Sequence, residues 1–359
     1  MKYTTLYAQI LKQIEAGGLK AGDRLPHTIE LAKKHKVSHG TAAKAVRQLA
    51  ADGYVSRVKS KGSFISSTQR IGYFELNKEK RIAWLFKGDF STLITTTYIA
   101  ESFVKANDHL VKNGWEFVPI PVRKRSADDY LHEIKSAHVS GAIVNDLHMP
   151  GLYDGLLQMK IPFVCTDSLN FDLSVHQVTY DHLKAGALAF KSLYSRGHSN
   201  ILFFGNYQKK GRVNDPDHEY VWRSFEQSGN MEHIKNVKAV FVEWQERALM
   251  KRDIRKALLA NSGATAICTI PVTFYLIIKE LLEEDDAFTE REFDFVVFST
   301  NKNIPPIRGR QPDICYWNSG EIGLTGAKLI ESILKGNVQS PRIHYTPVEV
   351  LSSVCTRKD

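Results

Sequence analysis

Cysteine is scarce in this chain of 359 residues: four occur, Cys165, Cys268, Cys315 and Cys355, each alone and none in a CxxC or Cys/His ligand spacing. That excludes a disulfide framework, gives no metal site, and reads as reduced thiols in a cytoplasmic protein. Long hydrophobic runs are missing too. No stretch of about 18 apolar residues occurs, so no transmembrane helix is expected. The start, Met1-Lys2-Tyr3-Thr4-Thr5-Leu6, lacks the apolar core and cleavage site of a secretory signal. Repeats and low-complexity tracts are absent as well.

What is present is a globular composition, 43% hydrophobic and 24% charged, of a length that fits two or three domains. Acidic residues are short in one region only. Residues 1–70 hold 13 of the 48 Lys and Arg and 4 of the 39 Asp and Glu, a net +9, while the other 289 residues balance at 35 against 35. The whole formal charge of +9 therefore sits in the first fifth of the chain. A clustered excess of this kind points to a polyanionic partner.

Within that basic region Tyr7, Ile10, Leu11 and Ile14 set an apolar stripe on a first helix, which Gly17-Gly18 stops. Thr28 can cap a short second helix carrying Ile29, Leu31 and Ala32. After the Val37-Ser38 turn, Ser38 caps a third helix from about His39 to Ala51. Its Ala42, Ala45, Val46 and Leu49 face inward, and Gly40, Lys44 and Arg47 face outward. Two strands, 54–58 and 63–66, follow, joined by Lys59-Ser60-Lys61-Gly62. A helix, a turn and a second helix with outward cations fit a major groove, and a cationic hairpin fits the phosphate backbone or minor groove. Lys33, Lys34 and Lys36 are equally compatible with a solvated face.

Residues 3–66 resemble the winged helix-turn-helix of GntR-type regulators. The resemblance rests on Gly22-Asp23-Arg24-Leu25-Pro26, Glu30-Leu31-Ala32, Val37-Ser38, Thr41, Lys44-Ala45, Leu49, Gly53-Tyr54 and Lys61-Gly62-Ser63-Phe64. It implies double-stranded operator DNA as partner, with Arg24, Thr28, Ser38, His39, Gly40, Thr41, Lys44, Arg47, Lys59, Lys61 and Gly62 as candidate DNA-binding residues. Two positions depart from the family: His39 and Ala43 stand where it has arginine. Fewer fixed cations remain, and Lys44, Arg47, Lys59 and Lys61 must compensate.

From Arg81 the texture changes to strands alternating with helices, the pattern of parallel sheets covered on both faces. The expected strands are 82–86, 116–120, 141–144, 161–165, 201–204, 240–242, 266–269 and 293–298. The expected helices are 98–113, 127–137, 181–196, 218–228, 246–259 and 273–284. The fold class is therefore α/β, an N-terminal winged helix-turn-helix plus a two-lobed domain with parallel sheets. The boundaries are 1–68 for the DNA-binding domain, 69–80 for a linker and 81–359 for an effector-binding and dimerisation domain. Residues 208–219 read as a polar surface loop that could also serve as a lid.

This second part is similar to the effector domain of LacI/GalR repressors, a periplasmic-binding-protein-like fold. The similarity is carried by Arg81-Ile82-Ala83, Gly141-Ala142-Ile143-Val144, Ile161-Pro162-Phe163-Val164, Val178-Thr179-Tyr180-Asp181, Arg196-Gly197-His198, Thr265-Ala266-Ile267, Asp294-Phe295-Val296-Val297 and Gly320-Glu321-Ile322-Gly323. Fused to a GntR-type reader it has the organisation of arabinose-repressor-type proteins. The resemblance implies a cytoplasmic, homodimeric repressor, with a small-molecule effector, a sugar or sugar derivative, between two lobes. The family's ligand positions are altered, however. Its sugar-binding arginine falls on Val221, with Arg223 two residues away; its Asn-Asp pair falls on Pro271-Val272; and its later aspartate falls on Thr300. The candidate ligand-binding residues are Lys87, Asp89, Phe90, Asp167, Arg223, Thr300 and Trp317. The altered positions leave a second reading open, in which the domain serves only dimerisation or binds a non-sugar ligand. No cofactor motif, nucleophile elbow or phosphate loop is present, so no enzyme is expected, and His109, His132, His138 and His148 read as dispersed packing or surface residues.

Overall fold

The computed structural model describes residues 3–15, 18–20, 22–51, 54–58, 62–65, 80–123, 125–171, 173–208, 213–214, 216–337 and 340–352. In chain order the N-terminal elements are α1 (Tyr3–Glu15), β1 (Arg24–Leu25), α2 (Thr28–Lys34), α3 (His39–Ala51), β2 (Val55–Val58) and β3 (Gly62–Ile65). Next come β4 (Arg81–Lys87), α4 (Phe90–Thr95), α5 (Thr97–Lys112), β5 (Glu116–Val122), α6 (Ala127–Ser136), β6 (Gly141–Asn145), α7 (Pro150–Gln158), β7 (Phe163–Thr166) and β8 (His176–Tyr180). The chain continues through α8 (His182–Tyr194), β9 (Asn200–Gln208), β10 (Val213–Asn214), α9 (Pro216–Met231), β11 (Asn236–Glu243), α10 (Arg247–Ala260) and β12 (Ala266–Thr269). It closes with α11 (Val272–Glu284), β13 (Asp294–Ser299), β14 (Asp313–Trp317), α12 (Ser319–Leu334), β15 (Ile343–Thr346) and β16 (Val348–Leu351). Two units result: Met1–Thr92, Phe103–Val178 and Gly323–His344 form one, and Leu93–Ser102, Thr179–Ile322 and Tyr345–Asp359 the other.

In the N-terminal module α1, α2 and α3 bury Leu6, Ile10, Ile14, Leu31, Ala42, Ala45, Val46 and Leu49 together with Tyr54, Val55 and Ile65. Each large aliphatic side chain so buried contributes roughly 1.5–3 kcal/mol of transfer free energy. The three strands form a small antiparallel sheet in the order β1-β3-β2. The Ser38 hydroxyl accepts the Thr41 N–H at 3.2 Å, the expected cap of α3. The expectation for Thr28 is corrected: it is the first residue of α2, after His27, whose N–H donates to the Glu30 carboxylate at 3.0 Å. Glu30 reaches back over the helix start, so the cap position moves one residue upstream.

The rest of the first unit is a six-stranded sheet in the order β15-β8-β7-β6-β4-β5, parallel from β8 to β5. The second unit holds a seven-stranded sheet. Its β9, β11, β12, β13 and β14 run parallel, with β10 and β16 antiparallel to their neighbours. One face of that sheet packs Leu202, Phe204, Ile267, Phe295 and Val297 against α10 and α11. The other packs Ile201, Phe203, Cys268, Val296 and Cys315 against α8 and α9. The alternation follows from the two-residue side-chain period of a strand covered on both faces. Residues 216 and 217, expected within a surface loop, open α9 instead, two residues ahead of the expected helix start at 218, and Asp217 is buried there. Burial is possible because His182 Nε2 lies 3.5 Å from its carboxylate.

Candidate functional site

On the basic module several predicted residues come together. His39, in the first turn of α3, places Nε2 3.1 Å from Thr28 Oγ1, linking the starts of the two helices. Ser38 and Thr41 are joined by their hydroxyls at 2.9 Å. Gly40, Lys44 and Arg47 are spaced four and three residues apart on the exposed flank of α3. Lys44 also has its ammonium 4.3 Å from the centre of the Tyr3 ring, so its stem is steadied by α1 while its charge stays at the surface. Arg24 lies against Gly62: a Cβ there would stand 3.2 Å from Arg24 Nε, and Gly62 has φ +113°. Both the close approach of Arg24 and the left-handed backbone favour glycine, which lets the guanidinium lie along the wing. Lys59 and Lys61 fall outside the described residues.

In the first unit the candidate ligand residues gather at the carboxyl ends of the sheet strands, the usual ligand edge of such sheets. Lys87 is exposed at the end of β4. The Asp89 carboxylate accepts the Ser91 hydroxyl and the Ser91 and Thr92 N–H groups, the latter two at 2.9 and 3.1 Å, and lies 3.2 Å from Arg123. These donors, the Ser91 hydroxyl first, hold it below the usual carboxylate range against an opposing desolvation. Asp89 thus works as the cap of α4. Phe90 is half exposed and meets Phe86 edge-on at 6.2 Å. Asp167, with φ +54°, follows β7, and its carboxylate accepts the Asn145 amide at 3.2 Å. Asn145 was not expected. Its amide also donates to Thr166 Oγ1 at 3.1 Å, and its buried Oδ1 has no hydrogen-bond partner among the described residues.

In the second unit Thr300 follows β13 and Trp317 ends β14. Trp317 stacks on Tyr180 at 4.5 Å, and Tyr180 on His182 at 4.0 Å, against the α8 and α9 core. Arg223 is not brought to the strand ends. Its exposed guanidinium pairs with Glu219 at 3.0 Å, whereas Val221 is fully buried. Two residues turn the helix by about 200°, so a side chain beside Val221 in sequence points away from it in space. Sequence reasoning missed three neighbours at this edge: Asn206, two residues before the end of β9, Thr269 at the end of β12 and the half-exposed Trp244 after β11. Asn206 Oδ1 and Thr269 Oγ1 are buried with no hydrogen-bond partner among the described residues. Trp244 packs against Phe274 at 6.3 Å. The available signal was positional, a polar residue closing an apolar strand.

Cys165, Cys268 and Cys315 are buried free thiols, and burial pushes each thiol pKa upward. They are therefore poor nucleophiles. Among the described residues no group of three or more His, Cys, Asp or Glu could hold a metal ion, and no helix is long and apolar enough to cross a membrane.

The family described as "Bacterial regulatory proteins, gntR family" matches residues 2–65. The HTH-type transcriptional regulator TreR of Bacillus subtilis is 35% identical over 145 residues, 39% of this chain and 55% of TreR. The arabinose metabolism transcriptional repressor of Geobacillus stearothermophilus is 24% identical over 217 residues, 56% of each protein. The matches thus span about half the length of these curated relatives. Among solved structures, the complex of the transcriptional regulator CelR with cellobiose superposes with a TM-score of 0.64 at 13% identity, covering 91% of this chain and 99% of that one. The lac repressor dimer bound to operator and an anti-inducer gives 0.62 at 12% identity, covering 77% and 93%. Residues 2–65 therefore match the GntR family, and the chain shares the α/β fold seen in solved structures of LacI-type, periplasmic-binding-protein-like proteins.

Proposed function

We propose that this protein is a transcription regulator, a repressor, that binds double-stranded operator DNA through residues 3–65 and whose DNA affinity is set by a small-molecule effector. The observation that carries the reading is the placement of the chain's excess charge. It lies on one small module whose recognition helix turns Gly40, Lys44 and Arg47 outward and whose wing holds Arg24 against Gly62. The proposed DNA contacts are Arg24, Thr28, Ser38, His39, Gly40, Thr41, Lys44, Arg47, Lys59, Lys61 and Gly62. The protein acts as a cytoplasmic homodimer on a two-fold operator and not as an enzyme.

The effector is a sugar or sugar derivative. Support comes from the polar strand ends of each sheet, Lys87, Asp89, Phe90 and Asp167 in one and Asn206, Thr269, Thr300 and Trp244 in the other, and from relatives named for arabinose or bound to cellobiose. Val221 in the core and Arg223 turned to solvent favour a second reading, in which sugar sensing is lost and the domain serves dimerisation. Selection of full-length protein on a random-sequence duplex pool tests the DNA reading: one shared sequence, symmetric about a two-fold axis, should emerge. A pool that stays random refutes it. A thermal-shift screen with sugars and sugar derivatives then separates the two effector readings, because a ligand of the native state raises the melting temperature.

A further inference from the structure

We propose that the second unit's strand ends receive an acidic group of the effector at the start of α11, so that the effector is an anionic sugar derivative, a sugar phosphate or sugar acid. The inference rests on the effector reading above and narrows its chemistry. The strand register puts the relevant groups on one face. Thr269 lies level with Phe204 of β9 and Val297 of β13, so Asn206 and Ser299, two residues further along, share its face, the one turned to α10 and α11. Thr269 is fully buried and Asn206 nearly so, and neither Thr269 Oγ1 nor Asn206 Oδ1 has a hydrogen-bond partner among the described residues. Ser299 Oγ is occupied, accepting the Asn301 N–H at 2.9 Å.

Helix α11 starts three residues after Thr269 and runs for 13 residues. Its N-cap, Pro271, supplies no side-chain cap, its first turn holds no acidic residue, and residues 271–273 are partly exposed. The N–H groups of Val272 and Thr273, with the helix dipole behind them, suit the oxygens of a phosphate or carboxylate. The Thr269 hydroxyl adds a donor, and the Asn206 carbonyl suits a sugar hydroxyl beside the acidic group. The positions where the resemblance would place charged and amide anchors hold Pro271-Val272 and Thr300, which carry no charge. With Val221 in the core, no arginine enters from that position. Lys302 follows β13, and its ammonium lies 4.1 Å from the centre of the ring of Tyr316, the residue level with Ser299.

The test uses full-length protein with glucose, gluconate and glucose 6-phosphate, ribose and ribose 5-phosphate, and inorganic phosphate, read by thermal shift and titration calorimetry. At least one anion should bind at least about tenfold more tightly than its neutral parent, with inorganic phosphate competing. Gluconate against the phosphates tells a carboxylate from a phosphate. Val272→Asp, which puts a carboxylate where the helix dipole tolerates it, should abolish the anion's tighter binding, and an unchanged ligand-free melting temperature shows that the variant is folded. Thr269→Val, of nearly equal volume, should reduce that advantage. A neutral parent that binds as tightly as its anion, or an anion advantage that survives Val272→Asp, overturns the proposal and leaves the effector reading intact. Failure of every compound, inorganic phosphate included, to stabilise the protein overturns the anion proposal, and the wider sugar screen decides the effector reading.

Discussion

His39 stands where an arginine would put a permanent charge into the first turn of α3, and its 3.1 Å contact with Thr28 ties the ring to α2. The fixed cation left on the outward flank of that helix beyond Lys44 is Arg47. Arg47→Ala should weaken binding to the selected duplex by about tenfold, the scale of one good phosphate or base contact. Its melting temperature should stay within about a degree of wild type, as for other exposed substitutions. Unchanged affinity in an anisotropy titration would remove Arg47 from the interface. A second residue-scale effect concerns His344. Burial, then Arg342 and then His176, whose Nδ1 is 3.2 Å away, push its pKa below the ordinary imidazole value. As pH falls below about 6.5 the unfolded chain takes up this proton before the folded chain does, so stability falls with pH. Between pH 7.5 and 5.5 the melting temperature should drop, and His344→Gln should flatten part of that slope. An equal slope in the variant would show that His344 does not carry the effect.

Helices α8 and α9 meet where Gly186 has no side chain: a Cβ there would stand 2.3 Å from the Val221 carbonyl oxygen. Gly186→Ala should therefore cost about 1–3 kcal/mol, the scale of overpacking, measured as a lowered denaturation midpoint. A neutral Ala would mean that the helices part freely. The same contact shows what local pattern conveys and what it does not. The apolar run 266–269 was legible as a strand with its observed ends, because it is covered on both faces. By contrast β11 runs from Asn236 to Glu243, well beyond the apolar core at 240–242. Its polar residues are held by a residue-by-residue ladder with β9, a long-range pairing that no local pattern displays. Strand β14 was missed because it begins at Asp313, whose fully buried carboxylate is met by Arg196 and Ser192, 117 and 121 positions away. At the candidate site the strand-end aspartates were legible from their place after apolar runs. The phase of α9, which hides Val221 and exposes Arg223, and the burial of Asn206 and Thr269 became visible only with packing.

Over the whole molecule, charge and architecture divide the same way. A net +9 lies within residues 1–70 and none on the remaining 289, which build two sheets with polar strand ends. With two of the GntR family's arginine positions held by His39 and Ala43, the function proposed above draws its DNA affinity from several modest contacts, the proposed ones at Arg24, Lys44, Arg47, Lys59 and Lys61 among them. Such an interface is dominated by counterion release, which makes salt its most direct probe. The decisive measurement is the affinity of full-length protein for the selected duplex at a series of potassium chloride concentrations. Four or more phosphate contacts predict a log–log slope of about −3.6 or steeper, from about −0.9 per contact. A slope near zero would contradict the assignment of the basic module to DNA.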